Sequence, residues 1–546
     1  MITSATGGSA SSSAPARAIR RYNAFLLLVA GLGGLLYGID VGIIGGALPY
    51  LEATSGLTAG QLSVIVAAVL LGSVLSTLFA GMLADSMGRK RLMILSGLAF
   101  VASIPIIALS HGYAPLFFGR LLQGMSAGFV GVVVPLYLAE CLSASSRGRG
   151  TAVFQWMLTL GIVLAAVVGI YYSYRVEAVA KAAGAAALLA FKDQAWRRIF
   201  WVSLPPGAIF VLGGLFVTES PRWLFRRGRA QQAHAVLLRS RTPQQAVIEM
   251  EEMEAASRAA VVHAGSGSSM KESLFRRKYA VPFLLACAIL FCNTATGVNS
   301  IIGYNAGILI QSGLNDLHAH WGYVIFTVVN FVVTSIGMML VDSKGRRFLL
   351  ILGTAGAALA LLFVGALFLR SERFTVDCRG AVQAMVRSSQ ELNFRFDPAT
   401  AARLLAVQDR RNEGIEPGRA SVAIIYSYGD FTAATSFVRS DDSTSAPIHI
   451  SRASCVPATR VEAFFKNPFG NLKAAQTAPL RIQKAVVGRI PASGHGWLVA
   501  LGLYLFMAFF AVGPGAVVWV ALSELMPTRI RSNGMSIALV INQLVS

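Results

Sequence analysis

Charge is scarce in this chain. Only 13% of its 546 residues are Asp, Glu, Lys or Arg, and the 26 acids are outnumbered by 47 bases, for a formal charge of +21. Soluble domains carry nearer a quarter charged residues, which excludes a freely soluble enzyme. The sequence also lacks a phosphate-cradling GxxxxGK[ST] loop and an HExxH pair, the machinery of an ATP-driven pump and of a zinc hydrolase. No enzyme, cofactor or metal is expected.

The bases lie in small clusters between apolar runs instead of covering one soluble domain, so a nucleic-acid partner is not expected. Apolar residues abound: 55% are hydrophobic and the mean hydropathy is +0.61. Runs of about 20 residues, enough to cross a bilayer, lie at 22–50, 61–84, 92–110, 114–139, 150–172 and 197–218, then at 280–310, 321–342, 348–370 and 496–523. An eleventh begins near Asn533 and stops at Ser546; those 14 residues rise only about 21 Å in a helix. The chain therefore reads as an all-α membrane protein. Residues 1–21 form a cytoplasmic tail, 22–219 an N-terminal six-helix bundle and 220–279 a linker with short helices. Spans 7 to 9 occupy 280–370, a long external insertion 371–495, and span 10 with a truncated span 11 residues 496–546.

Loop charge sets the orientation. The loops with Arg89-Lys90-Arg91, Arg147 and Arg149, Lys344-Arg346-Arg347, and Arg529 and Arg531 alternate with loops 51–60, 110–114 and 311–320, which hold no Lys or Arg. The positive-inside bias puts the former and the N-terminus in the cytoplasm. Segment 173–196, read as an external loop, dissents with Arg175, Lys181 and Lys192, but the bias is summed over short loops. The insertion offers one helix, "DPATAARLLAVQDRR", and one strand, "ASVAIIYSY". Its Cys378 and Cys455 fit either a disulfide or two free thiols.

"LADSMGRKRLMIL" at Leu83 is repeated as "LVDSKGRRFLLIL" at Leu340, placing Asp85, Gly88 and Arg89 in register with Asp342, Gly345 and Arg346. Glu140 precedes Arg147 by seven residues, as Glu524 precedes Arg531. Two duplicated bundles related by an axis along the membrane normal are implied. Gly permits a tight turn, and Arg can fork onto a carboxylate or onto helix-end carbonyls. The set reads as a cytoplasmic gate, with plain topology signals as the alternative.

Asp40 falls mid-span, where a carboxylate costs about 2.5–3.5 kcal/mol and needs a partner; Arg120 is the only base within the fourth span. Burial opposes ionisation of Asp40 and Arg120 favours it, so the pair can be poised to take up and release a proton. The alternative, a permanent fastener, is a poor use of an ion pair where desolvation is severe. The other polar side chains at membrane depth are mostly amides: Gln155, Asn293, Asn299, Asn330 and Asn542. Amides donate and accept, which suits a neutral polyhydroxylated ligand, and Tyr37 and Trp519 supply apolar faces. Gly513-Pro514-Gly515 is expected to break its helix beside a cavity.

Asp40 with "GALP", "GRLLQGMSAG" followed by "VPLYLAE", "ESPRW" at Glu219, "GVN" at Gly297 and "GPGAVVW" at Gly513 resemble the signatures of the sugar porter family of the major facilitator superfamily, especially its bacterial proton-coupled members. The resemblance implies two six-helix bundles, proton coupling at Asp40 and Arg120, and sugar contacts from Gln155, Asn299, Asn330, Trp519 and Asn542, with an aromatic at Tyr37. It adds Glu219 and Arg222 of "ESPRW" to the gate residues. The chain departs from the family at Asn293-Thr294, where a double Gln is usual, at Gly303 for the first Tyr of a pair, and at Gln543 for a Trp. A substrate bulkier than, or different from, glucose or xylose is implied. Twelve spans are usual in the family, so the chain reads as a truncated product. The expected function is import of a monosaccharide or polyol with protons by alternating access, by a monomer in a bacterial inner membrane or plasma membrane. The alternatives are a facilitative uniporter, a non-transporting sensor and an inactive truncated carrier.

Overall fold

The computed structural model describes residues 13–143, 147–265, 277–372, 375–406, 415–442, 447–518, 525 and 531–545. Among them are ten helices long and apolar enough to cross a membrane: span 1 (Ala16–Thr54), span 2 (Ala59–Met87), span 3 (Arg89–Ala108), span 4 (Tyr113–Cys141), span 5 (Ala152–Ala182), span 6 (Ala185–Phe216), span 7 (Ala280–Gln311), span 8 (Asp316–Val341), span 9 (Arg346–Ser371) and span 10 (Ser493–Val518). A further helix covers Arg531–Val545. Large apolar side chains such as Met339 (79% exposed) and Phe216 (73%) point out of the bundle, as a lipid-facing surface requires and a soluble one does not tolerate in such number.

Local chemistry sets the helix ends. Thr58 and Gln61 form a capping box at the start of span 2, Gln61 N–H donating to Thr58 Oγ1 at 3.2 Å and Thr58 N–H to Gln61 Oε1 at 3.0 Å. Asn315 caps span 8 by accepting from His318 N–H at 2.8 Å. Because of that cap, Asp316 and His320 lie inside a helix and not in the external loop expected over 311–320. Segment 173–196 departs in the same way: span 5 continues to Ala182 and span 6 starts at Ala185. The Ala-rich run there favours helix whether or not it is in lipid.

Three spans are irregular. Span 6 is interrupted at Val202-Ser203, ahead of Pro205 and Pro206, and span 7 at Gly297, φ +75°. At Ala511–Gly515 span 10 widens into a π-helical turn and continues through Val518. The expected break is thus a bulge, which still releases backbone groups from the regular ladder.

Spans 1 to 6 form one half, in which span 1 packs on spans 4 and 5, and span 4 on spans 2 and 3. Spans 7 to 10 and Arg531–Val545 form the other. Close approach depends on small residues: a Cβ at Gly124 would collide with the Val69 backbone of span 2. Helices Pro221–Arg226, Ala230–Ser240 and Pro243–Gly265 follow span 6. Buried Arg241 holds them to the first half, donating to Glu249 Oε1 at 2.6 Å and to the Cys141 carbonyl at 2.9 Å. This end, with the basic turns, is the basic face; the opposite end carries the insertion.

The insertion has its own apolar core and more strand than the sequence suggested. Its strands are β1 (Thr375–Asp377), β2 (Leu392–Phe394), β3 (Ala420–Tyr428), β4 (Phe431–Ala434), β5 (Val438–Arg439), β6 (Ile448–Ile450) and β7 (Leu480–Arg489). An antiparallel sheet runs β1-β7-β3-β4, with β5 also on β3, while β2 pairs β6. Val422, Ile424, Tyr426 and Val487 of this sheet share one buried core with Leu404 of the helix Pro398–Ala406. Cys378 and Cys455 are not bridged; their thiols donate to the Leu404 carbonyl at 3.4 Å and the Phe431 carbonyl at 3.0 Å. Burial pushes the Cys378 thiol up to about 11.

Candidate transport site

The ionisable pair lies in the middle of the first half. Asp40 of span 1 and Arg120 of span 4 are both fully buried, with Nη1 and Oδ1 3.6 Å apart. Neither Asp40 oxygen takes a hydrogen bond from a described residue. Arg120 instead donates to Gln123 Oε1 at 2.6 Å and lies over the Phe200 ring of span 6, 5.6 Å from its centroid. A carboxylate fastened by Arg would be met at about 2.7–2.9 Å through two parallel bonds. This contact is an attraction without a clasp.

The amides are spread over both halves, Gln155 on span 5 and the others on spans 7 and 8 and the helix Arg531–Val545. Gln155 precedes Trp156 on span 5, Asn330 precedes Phe331 on span 8, and the two rings meet with centroids 5.1 Å apart. Asn330 accepts from Thr334 Oγ1 at 3.3 Å. Tyr37 faces the second half, its hydroxyl accepting from Gln543 Nε2 at 3.4 Å. Asn542 donates to Thr294 Oγ1 at 2.7 Å and to the Leu290 carbonyl at 3.3 Å. Asn293 Oδ1 is buried without a hydrogen-bond partner among the described residues. Asn299 lies in the first turn of the second segment of span 7, which starts at Val298, and Trp519 lies outside the described residues. Thr294 and Gln543, which the sequence marked only as departures from the family, are thus the partners of Asn542 and Tyr37.

On the basic face the chain turns between spans 2 and 3 at Gly88, φ +100°, where a Cβ would run into the Glu219 carboxylate. Glu219 caps span 3, its Oε1 accepting from Arg89 N–H at 2.9 Å and Lys90 N–H at 3.2 Å, where a helix N-terminus favours an anion. The buried Arg89 side chain reaches Glu140 Oε2 at 2.8 Å, Asp85 Oδ1 at 2.8 Å and the Ala84 carbonyl at 3.0 Å. Glu140 also accepts from Ser220 Oγ at 2.5 Å. All these groups belong to the first half, except Ser220, which opens the linker that follows it. In the repeat, Gly345 has φ +83° and Arg346 donates to the Val341 carbonyl at 3.2 Å. Arg222 is exposed. Glu524 and the side chains of Arg147, Asp342 and Arg531 lie outside the described residues.

A polar contact on the insertion face escaped sequence reasoning. Asp316 Oδ2 of span 8 accepts from Tyr50 Oη of span 1 at 2.9 Å and from Ser173 Oγ of span 5 at 2.5 Å. One turn on, the buried His320 ring stacks on Tyr50, centroids 5.5 Å apart, with Nε2 3.2 Å from the Gly46 carbonyl. Tyr323 Oη donates to the Gly42 carbonyl at 2.8 Å. The halves are joined on this face. The available signal was the i, i+4 spacing of Asp316 and His320 ahead of an apolar run.

Comparison with known proteins follows the same outline. Residues 26–386 and 477–546 match a family described as "Sugar (and other) transporter". A glucose transporter of Staphylococcus epidermidis is 28% identical over 347 residues, covering 63% of this chain and 72% of that one. A human proton myo-inositol cotransporter is 26% identical over 525 residues, covering 94% of this chain and 72% of that one; an alignment of that length includes the insertion. Among solved structures, the xylose transporter of E. coli in a partially occluded inward-open conformation aligns with a TM-score of 0.61 and 19% identity over 96% of this chain and 89% of that one. That likeness is one of fold: the major facilitator arrangement of helices.

Proposed function

Because the chain belongs to the sugar (and other) transporter family, we propose that it imports a monosaccharide or polyol by proton symport, alternating between states open to either face. In this reading the basic face is cytoplasmic and the insertion face external. The observation that carries proton coupling is the Asp40–Arg120 contact: buried, 3.6 Å long and without a hydrogen bond to the carboxylate from any described residue. A proton can join Asp40 without dismantling a clasp, and Arg120 keeps Gln123 when it does. Carrying one charge across 100 mV supplies about 2.3 kcal/mol, enough for roughly fifty-fold accumulation.

Substrate binds between the halves, against Tyr37, Gln155, Asn293, Asn299, Asn330, Trp519 and Asn542. Asp85, Gly88, Arg89, Glu140 and Glu219 hold the cytoplasmic end of the first half as one unit; Asp342, Gly345, Arg346, Glu524 and Arg531 are its counterparts in the second. The Asp316 contact is the external gate in its closed state. A cyclic polyol is favoured by the long match to a relative named for myo-inositol, and short side chains at Asn293, Thr294 and Gly303 leave room along one wall. The test is uptake into proteoliposomes: Asp40→Asn is expected to abolish uphill accumulation while keeping downhill exchange. Accumulation that survives the substitution refutes coupling at Asp40.

A further inference from the structure

A cavity of about 620 Å³ opens on the basic face between the turn joining spans 2 and 3, the end of span 6 and the helix Ala230–Ser240. Lys90, Arg91, Arg229 and Arg239 surround it, Glu219 being the one acid in its lining. That carboxylate is already taken by the backbone N–H groups of Arg89, Lys90 and Ser220, leaving the cations in excess. Trp223, Leu224 and Val236 supply an apolar wall. The remaining side is Leu215 and Phe216, 50% and 73% exposed at the end of a membrane span. The cavity therefore has a cationic interior and a rim that continues into the lipid-facing surface.

We propose that this cavity binds an anionic phospholipid, its phosphate among Lys90, Arg91, Arg229 and Arg239 and an acyl chain along Leu215 and Phe216. A volume of this size lies in the range of small-molecule sites, and clustered bases beside a membrane span favour acidic headgroups. A soluble phosphate would satisfy the cations but gain nothing from the exposed apolar rim; that rim decides for lipid. The bound lipid bridges the helix Ala230–Ser240 to the span 2–3 turn, beside the Lys90 ammonium that donates to the Leu215 carbonyl at 2.8 Å. Arg229 and Arg239 lie on the linker, outside the residues assigned to transport.

Purified full-length protein in neutral detergent is titrated with phosphatidylglycerol or phosphatidylcholine carrying brominated acyl chains, and quenching of tryptophan fluorescence is read. Phosphatidylglycerol is expected to quench at lower concentration, and Trp223→Phe to remove that component. Arg229→Gln alone is expected to weaken binding about fivefold, and Arg229→Gln with Arg239→Gln roughly 25-fold, with the phosphatidylcholine curve unchanged. Equal quenching by the two lipids, indifference to the arginine substitutions, or a component that survives Trp223→Phe overturns the proposal. Displacement by millimolar glycerol 3-phosphate also overturns it, by making the cavity a soluble-phosphate site.

Discussion

On the basic face Arg89 reaches Glu140 and Asp85, and Glu219 reaches the start of span 3, so every one of these contacts stays within one half. On the insertion face Asp316 and His320 of span 8 reach Tyr50, Gly46 and Ser173 across the boundary between halves. The two sets contain similar groups, yet they do different work. Contacts within a half make it a rigid body; contacts between halves must be given up whenever that face opens. Repeated sequence marks the first kind and not the second, because a duplicated half copies its internal contacts but not those it makes with its partner.

Substitutions can separate the two roles. Arg89→Ala leaves the buried Glu140 with the half-exposed Arg226 at 3.6 Å in place of Arg89 at 2.8 Å, a loss of about 3 kcal/mol. The largest fall in melting temperature is expected here, with labelling of a cysteine placed at Ile308, on the insertion face, unchanged. Asp316→Ala removes two hydrogen bonds to a carboxylate, about 3 kcal/mol together, and should favour the outward-open state. Impermeant maleimide would then label that Ile308 cysteine much faster, with little change in melting temperature. If Arg89→Ala alters the labelling as strongly as Asp316→Ala, the distinction between the faces fails.

A smaller effect is expected where the insertion meets span 7. Arg439 donates to the Leu314 carbonyl at 3.2 Å while forking onto Asp441 at 2.8 and 2.9 Å. Arg439→Ala should loosen that end by about 1 kcal/mol, read as faster hydrogen exchange beyond Gln311. The hydrogen bond from Arg439 holds Asp441 below its ordinary value of 3.8. Its stabilisation is therefore complete above about pH 4 and is lost as pH falls through the lower folded value. Asp441 is about a third exposed, so the same segment should loosen only slightly below pH 4.

The spans were legible because twenty apolar residues leave few alternatives. The Asp40–Arg120 pair was legible because a mid-membrane charge demands a partner. Asp316 and His320 were not: at a helix end such groups cost little and read as loop until the Asn315 cap draws them into span 8. Most of the insertion was hidden for another reason. Strand β3 has nine residues and a visible pattern, whereas β1, β2 and β6 have three each, too few to show any period. Their pairing comes from the core they share.

Coupled transport is tested most directly by the proton itself. Proteoliposomes containing the protein, in weakly buffered medium without a pH gradient, are given an inward gradient of hexose or inositol while external pH is recorded. The account predicts alkalinisation of the medium as sugar enters, absent in Asp40→Asn; sugar entry with no proton movement would contradict it and make the protein a uniporter.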